Sequence, residues 1–285
     1  MKNSIKTIVK LMIAASALAS LSAQAVLVTF DYQSGIQAGS NNNVAYGKTS
    51  KRINNNNTTN APSVTGAGYY VETFDGNTKI GVPVVTGAKG AGCGLATLYA
   101  SDITVNQGSY ALQKGSTTNV AAKPAGDETC FAFGPGPAPH APGAGNNAKI
   151  TVDYTAFLSP GKTRISYLGL YYGSIDSYND IAFYKANGTL MTGGPGLLSD
   201  GILKGSEILT LLGGVSGNQV SDKSNVYVNL DFSDSEQFAK YQFRTTGIAF
   251  ELDNVVAGIS DIPEPASVLL FSLGLLGLAG LRRKA

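Results

Sequence analysis

Apolar and polar positions alternate along most of the chain between residues 26 and 261, which is the pattern of β-strands with one buried face. Val28 and Phe30 belong to the first such segment, and residues 225–232 alternate strictly. Residues 163–172 are apolar on both faces, as expected of a central strand in a sandwich. Because Gly, Asn and Asp separate these segments, the pattern predicts an all-β fold of the β-sandwich type.

Two segments interrupt the alternation. Residues 39–62 are rich in Asn and other polar residues and predict a long loop. Residues 134–147 contain four prolines, which exclude a helix and a central strand, so this segment is an interdomain linker or an exposed loop within one sandwich. We favour the loop, because the predicted strands on both sides are alike. Residues 203–212 are ambiguous, since Ile208, Leu211 and Leu212 have helical spacing within a short, glycine-flanked piece.

The first 25 residues have the composition of a secretory signal peptide. A basic start leads into an apolar run over residues 8–21. Ala23 and Ala25 then form the small-x-small pattern that signal peptidase cleaves, so we expect the mature chain to begin at Val26. An uncleaved N-terminal anchor is the less favoured alternative, because the apolar run is short and is followed at once by this site.

A second uncharged run, rich in leucine, covers residues 266–281. As a helix it would span about 24 Å, slightly less than the roughly 30 Å hydrocarbon core of a bilayer. Arg282 and Arg283 follow the run and should stay in the cytoplasm, which places everything before Pro263 on the other side of the membrane. The pattern therefore predicts a C-terminal transmembrane helix on an exported protein.

The order of these features resembles the PEP-CTERM sorting signal of exported bacterial surface proteins. The matching residues of segment 262–285 are Pro263, Glu264 and Pro265, then the apolar helix, then Arg282 and Arg283. The resemblance implies that a membrane-embedded exosortase recognises these residues and cuts near the triplet, so that they are substrate determinants and not catalytic residues. The helix would then be a temporary anchor, with residues 259–262 as the spacer that precedes the triplet. A permanent anchor is the alternative.

Residues 26–261, which we call the passenger, carry a second resemblance. Segments 168–179, 225–229 and 249–255 resemble the jelly-roll passenger of many PEP-CTERM proteins. In those proteins a Gly-Ser-x-Asp-x-Tyr-Asn element follows a central strand, and an Ala-Phe-Glu-x-Asp-Asn strand closes the domain. The resemblance implies a jelly-roll surface protein that depends on an exosortase, and it brings no enzymatic residues with it.

The charge balance changes once the two terminal segments are set aside. The whole chain has 21 basic and 19 acidic residues, but residues 26–263 keep 15 basic and 18 acidic residues, so the net positive charge of the chain comes from the terminal segments. The passenger also has no Lys/Arg stripe, so binding to nucleic acid is not supported.

Cys93 and Cys130 are the only cysteines of the chain. In an exported protein such a pair predicts a disulfide, and closing a loop of this length stabilises a fold by about 3–4 kcal/mol in the chain-entropy treatment. Two buried free thiols are the alternative. A metal site is disfavoured, because His140 is the only histidine and lies in the proline-rich segment.

The candidate catalytic groups are carboxylates, namely Asp176, Asp180, Asp231, Asp234, Glu236, Glu251 and Asp253. Residues 231–236 place three acids in one turn, which suits Ca²⁺, although the lack of an EF-hand pattern favours a solvated turn. Asp176 and Asn179 are expected to bond backbone amides, and Asp253 with Asn254 to end a strand. No nucleophile elbow occurs, so we assign no catalytic residue, no metal and no cofactor.

Three functions remain open on the sequence. The first is a non-enzymatic surface protein that acts in the extracellular polysaccharide matrix. The second is a carbohydrate- or Ca²⁺-dependent binding module that uses exposed tyrosines for stacking on sugars. The tyrosines considered are Tyr69, Tyr70, Tyr171, Tyr172 and Tyr178. The third is a secreted hydrolase, which the missing motifs make the weakest of the three.

Overall fold

The computed structural model describes eleven ranges of the chain. They are residues 26–31, 58–59, 68–75, 88–95, 104–105, 110–134, 148–156, 158, 162–192, 194–233 and 236–262. Most of the polar segment 39–62, nearly all of the proline-rich segment 134–147 and both predicted membrane segments lie outside these ranges. All further statements concern the described residues.

The described chain is mostly β-strand, which confirms the all-β prediction. In chain order the strands are β1 (Leu27–Asp31), β2 (Thr58–Thr59), β3 (Gly68–Glu72), β4 (Thr104–Val105), β5 (Ala111–Lys114), β6 (Cys130–Gly134), β7 (Ala148–Asp153), β8 (Thr163–Gly173), β9 (Asn179–Tyr184), β10 (Ile202–Lys204), β11 (Val226–Asp231), β12 (Lys240–Thr245) and β13 (Phe250–Asp261). One helix, α1 (Gly205–Leu212), and a 3₁₀ turn at Ala88–Gly90 complete the described elements.

The strands form two sheets. The first has the order β1-β11-β8-β13-β3-β2, with β6 also pairing with β13 and β5 with β6. The second has the order β10-β9-β12-β7-β4. Every pairing is antiparallel except that of the two-residue strand β2 with β3.

The two sheets pack on one apolar core, as in a sandwich. Leu170 and Val228 from the first sheet lie in the same buried cluster as Ile150 and Phe243 from the second. The strict alternation predicted for residues 225–232 is confirmed, because its apolar set lies in this cluster. A one-residue shift in pairing would expose the whole set, so the core fixes the register of β11.

Strand β8 is central, as its two apolar faces predict, and it lies between β11 and β13. Leu170 packs into the core, while Tyr171 on the other face is covered by segment 122–125 and donates its hydroxyl hydrogen to the carbonyl of Ala125. Gly173 permits this cover, because a Cβ there would lie 2.7 Å from Pro124.

The ambiguous segment 203–212 divides into a strand and a helix. β10 ends at Lys204, and α1 follows and ends at Gly213, which has φ of 65° and suits the left-handed helix cap. The helical spacing of Ile208 and Leu212 matches the buried face of α1, whereas Leu211 is 60% exposed.

Candidate functional site at the last strand

Strand β13 is the element on which the candidate site is built. It pairs with β8 along one side and with β3 and β6 along the other, and its last pair joins Asp261 to Thr163. The amide of Ile262 donates one further hydrogen bond to the carbonyl of Lys162 at 2.8 Å. Backbone pairing therefore continues to the residue directly before Pro263.

The predicted spacer over residues 259–262 is wrong. Ile259 is only 7% exposed and pairs with Ile165, so this segment belongs to the sheet. The strand continues to Asp261 because Ile259 buries its side chain, and the proline at position 263 has no N–H to donate to a neighbouring strand. The predicted recognition triplet thus follows the sheet with no intervening loop.

A bulge interrupts β13 at Asp253 and Asn254, where the pairing with β8 shifts register. Asn254 has φ of 48°, and the two side chains stabilise this conformation. Asp253 accepts hydrogen bonds from the backbone N–H of Asn254 at 2.6 Å and from its side-chain amide at 2.8 Å. The prediction that these residues end a strand is therefore wrong, because they bend one in its middle.

Three aspartates from distant parts of the chain gather beside this bulge. Asp253 and Asp127 are fully buried, and Thr129 donates its hydroxyl hydrogen to Asp127 at 2.6 Å and lies 3.2 Å from Asp253. Asp75 accepts a hydrogen bond from the backbone N–H of Cys130 at 3.0 Å. The cluster ties the bulge to the strand that carries the second cysteine.

Burial controls the protonation of these acids. Loss of hydration raises the pKa of Asp75 to about 6. Burial, reinforced by the charge and the hydrogen bond of Asp127, raises the pKa of Asp253 well above its usual range. The raised pKa of Asp253 favours the protonated form of its carboxyl group, which is the form that can donate a hydrogen bond to Asp127. Because both side chains have no exposed surface, no substrate reaches this pair.

Glu251 forms a second buried acidic site on β13. Its carboxyl group accepts a hydrogen bond from the N–H of Ala122 at 3.0 Å and lies 2.6 Å from the hydroxyl of Ser174. Burial raises the pKa of Glu251 to about 8, so the group is mainly protonated at pH 7. Asn225 supports the same region by accepting from the N–H groups of Ser174 and Ala125.

The two motifs that carried the jelly-roll resemblance contact each other. Ser174 meets Glu251, the side chain of Asn179 donates to the carbonyl of Ala249 at 2.9 Å, and Tyr178 donates to the carbonyl of Ile248 at 2.9 Å. These contacts join the end of β8 to the start of β13, so the motif residues hold the fold together. Asn179 thus bonds a carbonyl and not the predicted amide.

The other predicted carboxylates do not converge. Asp176 accepts from the hydroxyl of Ser216 at 3.0 Å in place of the predicted backbone amide. Glu236 is 3% exposed and accepts from the N–H of Gly194 at 3.1 Å, so the predicted solvated turn is wrong at this residue. Asp234 lies outside the described residues. Among the described residues, no group of three His, Cys, Asp or Glu side chains is arranged to hold a metal ion.

Two of the five tyrosines proposed for sugar stacking are fully buried. Tyr171 and Tyr172 have no exposed surface, which removes two of the five candidates. A cavity of about 30 Å³ between the sheets has apolar walls that include Phe74 and Leu95. Its volume suits a water molecule or two, far below the several hundred Å³ of a ligand pocket.

Cys93 and Cys130 form a disulfide with their Cα atoms 5.5 Å apart, as predicted. The bridge joins the 88–95 turn to β6, which itself pairs with β13. Sequence reasoning missed Asp75 and Asp127 as members of the neighbouring cluster. The only signal was the position of Asp127 three residues before Cys130, and no local pattern marked Asp75.

The predicted sorting and cleavage residues lie outside the described residues, so their roles stay predictions. They are Ala23 and Ala25 at the N-terminal end, and Pro263, Glu264, Pro265, Arg282 and Arg283 at the C-terminal end. Within the described ranges, no helix has the length and apolar character needed to cross a membrane. The predicted transmembrane helix at 266–281 is not among the residues searched.

The chain matches a known protein-sorting motif. The family model of the PEP-CTERM protein-sorting motif matches residues 261–284, which begin at the last residue of β13. No curated protein and no solved structure matches the chain. The match confirms the sorting-signal resemblance, and the motif implies processing by an exosortase, a membrane enzyme. The chain therefore carries a PEP-CTERM motif and is an exported, exosortase-sorted surface protein.

Proposed function

We propose that the passenger has no catalytic activity of its own and acts in the extracellular polysaccharide matrix of the cell envelope. A signal peptide cleaved after Ala25 starts its export, and residues 266–281 hold it in the membrane until the exosortase releases it. The observation that carries the proposal is the direct succession of β13 and the sorting motif at Asp261. A jelly-roll passenger and a final place in the matrix are supported by the resemblance of segments 168–179 and 249–255.

The burial of the carboxylates supports a passenger without catalysis. General acid–base chemistry needs a carboxyl group within hydrogen-bond reach of a substrate atom. Glu251 and Asp253 have the most strongly perturbed carboxyl groups, and each is at most 2% exposed and hydrogen-bonded inside the protein. Their raised pKa values follow from burial, and their contacts give them a structural role.

The pairing of β13 limits where the exosortase can cut. Cleavage before Asp261 would remove residues that pair with β8, and the enzyme would first have to peel them from the sheet. Cleavage after residue 265 would enter the predicted membrane helix. The accessible bonds therefore lie between Ile262 and Ala266, which predicts a mature chain that ends at one of the residues 262–265.

The experiment compares the natural host with a strain that lacks the exosortase. Mass spectrometry of the recovered protein should give a C-terminus within residues 262–265 in the wild type and Ala285 in the mutant. A wild-type chain that still ends at Ala285 would refute processing, and one that ends at or before Asp261 would refute the limit set by β13.

A matched pair of variants separates recognition from folding. Glu264→Gln alters the triplet, whereas Glu128→Gln removes an exposed passenger carboxylate that pairs with Lys123. We expect slower processing in the first variant and normal processing in the second.

The location of the passenger in the polysaccharide matrix and its lack of catalytic activity are tested by a separate measurement. The processed protein should co-purify with the polysaccharide and appear in the medium when polysaccharide synthesis is blocked. Hydrolysis of the purified polysaccharide by the processed protein would contradict the proposal.

A further inference from the structure

The two ends of the passenger leave the sandwich on the same side. Leu27 in β1 lies opposite Asp231 in β11, Asp231 lies opposite Tyr167 in β8, and Tyr167 lies opposite Gly258 in β13. Because each of these pairings is antiparallel, β1 begins at the end of the sheet where β13 finishes. The residue before Leu27 and the residue after Asp261 therefore point out of one end of the domain.

Strand geometry gives the spacing of the two exits. Three strand separations lie between Leu27 and Gly258, which is about 14 Å. β13 continues three residues past Gly258, so Asp261 projects about 10 Å further than Leu27. We call this end, formed by Leu27, Lys162, Asp261 and Ile262, the exit end.

The opposite end of the sheet is far away. β11 begins there at Val226, five residues from Asp231, and Lys223 is exposed in the preceding loop. Along the strand direction, five residues of β11 add about 17 Å to the 10 Å by which Asp261 projects beyond Leu27. The loop that carries Lys223 therefore lies about 27 Å or more from the exit end.

The chain that follows Ile262 is too short to let the domain turn over. Residues 263–265 are the only link to the predicted membrane helix, and three extended residues span at most about 10 Å. Contact between the Lys223 end and the bilayer would need a link nearly three times as long. The tether therefore selects the exit end as the part of the domain nearest to the membrane.

We propose that the exit end is the surface through which the folded passenger docks onto the lipid bilayer before processing. This inference rests on the proposed function, because it requires residues 266–281 to span the membrane. Leu27 is 58% exposed and Lys162 is exposed, and such side chains suit the boundary where acyl chains meet phosphate headgroups. A predicted signal peptide that ends at Ala25 leaves the domain at the same surface. The predicted signal peptide and the predicted helix over residues 266–281 can therefore both lie in the membrane while β1 and β13 stay paired in the first sheet.

The test uses the unprocessed chain, purified from cells that lack the exosortase and placed in vesicles of phosphatidylethanolamine and phosphatidylglycerol. Single variants Lys162→Cys, Leu27→Cys and Lys223→Cys carry one fluorescent label each, since the native cysteines are joined in the disulfide. Lys162 and Lys223 are matched exposed lysines at the two ends of the domain. Some vesicles contain lipids with a nitroxide headgroup, which quenches a label that touches the membrane surface.

We expect quenching severalfold stronger at residue 162 than at residue 223, with residue 27 between them. Equal quenching at residues 162 and 223 would mean that the domain lies on its side, and would overturn the inference. Absence of quenching from a chain that floats with the vesicles would overturn it as well. A chain that fails to float would refute the membrane anchor itself, and with it both proposals.

Discussion

Glu251 should make the stability of the passenger fall as the pH rises. Its pKa has an ordinary value of 4.5 and is raised to about 8 by burial in the fold. Between these values the folded protein holds a proton that the unfolded chain releases, so each rise in pH favours unfolding. The stabilising contribution is complete below the unfolded pKa and is lost as the pH passes through the folded pKa.

The size of this effect follows from the two pKa values. Stability changes by about 1.4 kcal/mol for each pH unit across the interval between them. Between pH 5 and pH 9 the loss from Glu251 alone is therefore about 4 kcal/mol, a large share of the 5–15 kcal/mol typical of a folded domain. Asp75 and Asp253 have raised pKa values and add to the loss in the same direction.

Glu251→Gln isolates this contribution. A glutamine carbonyl can accept from the N–H of Ala122, and its amide can donate to the hydroxyl of Ser174, so both contacts of the neutral acid are kept. Urea unfolding of residues 26–262, followed by circular dichroism at several pH values, measures the free energy of unfolding. We expect the fall between pH 5 and pH 9 to be about 4 kcal/mol smaller in the variant.

Glu128→Gln is the control, because the side chain of Glu128 is 78% exposed. Its pH profile should follow that of the wild type. If Glu251→Gln also follows the wild type, then Glu251 is ionised inside the fold, and the assignment of a buried neutral acid is refuted.

Two further predictions concern the ends of the sandwich. A passenger that stops at Gly258 loses the burial of Ile259, so urea unfolding should give at least about 2 kcal/mol less stability than for one that stops at Ile262; equal values would show that the end of β13 does not support the fold. Replacing both Cys93 and Cys130 with alanine should lower the free energy of unfolding by about 3–4 kcal/mol, and reduction of the wild type should have a similar effect. A loss below about 1 kcal/mol would contradict a disulfide that constrains the unfolded chain.

Strands that depend on a local pattern of apolar residues could be predicted from the sequence. Alternation over residues 225–232 predicted β11, and apolar residues on both faces predicted the central place of β8, because burial imposes the same period wherever the partner strand comes from. The sorting motif could be identified equally well from the sequence, because its residues are consecutive along the chain.

The buried polar sites could not be predicted in the same way. Thr129 meets Asp253, and Ala122 meets Glu251, across more than a hundred residues of chain. No local pattern encodes such distances, and the sequence Asp-Asn at 253–254 is typical of strand ends. In the folded protein these two residues form a bulge inside β13. The carboxyl group of Asp253 lies there within hydrogen-bond distance of the hydroxyl of Thr129 and accepts a hydrogen bond from the backbone N–H of Asn254.

The position of β13 also sets the time at which the passenger can fold. It is the last strand of the domain, yet it lies between β8 and β3, while the first strand pairs with β11 on the other side of β8. Pairings between such distant segments form late and slowly. The first sheet is therefore incomplete until β13 is available to pair with β8 and β3. Any process that presents the passenger in chain order completes this sheet last, directly before the sorting motif becomes available.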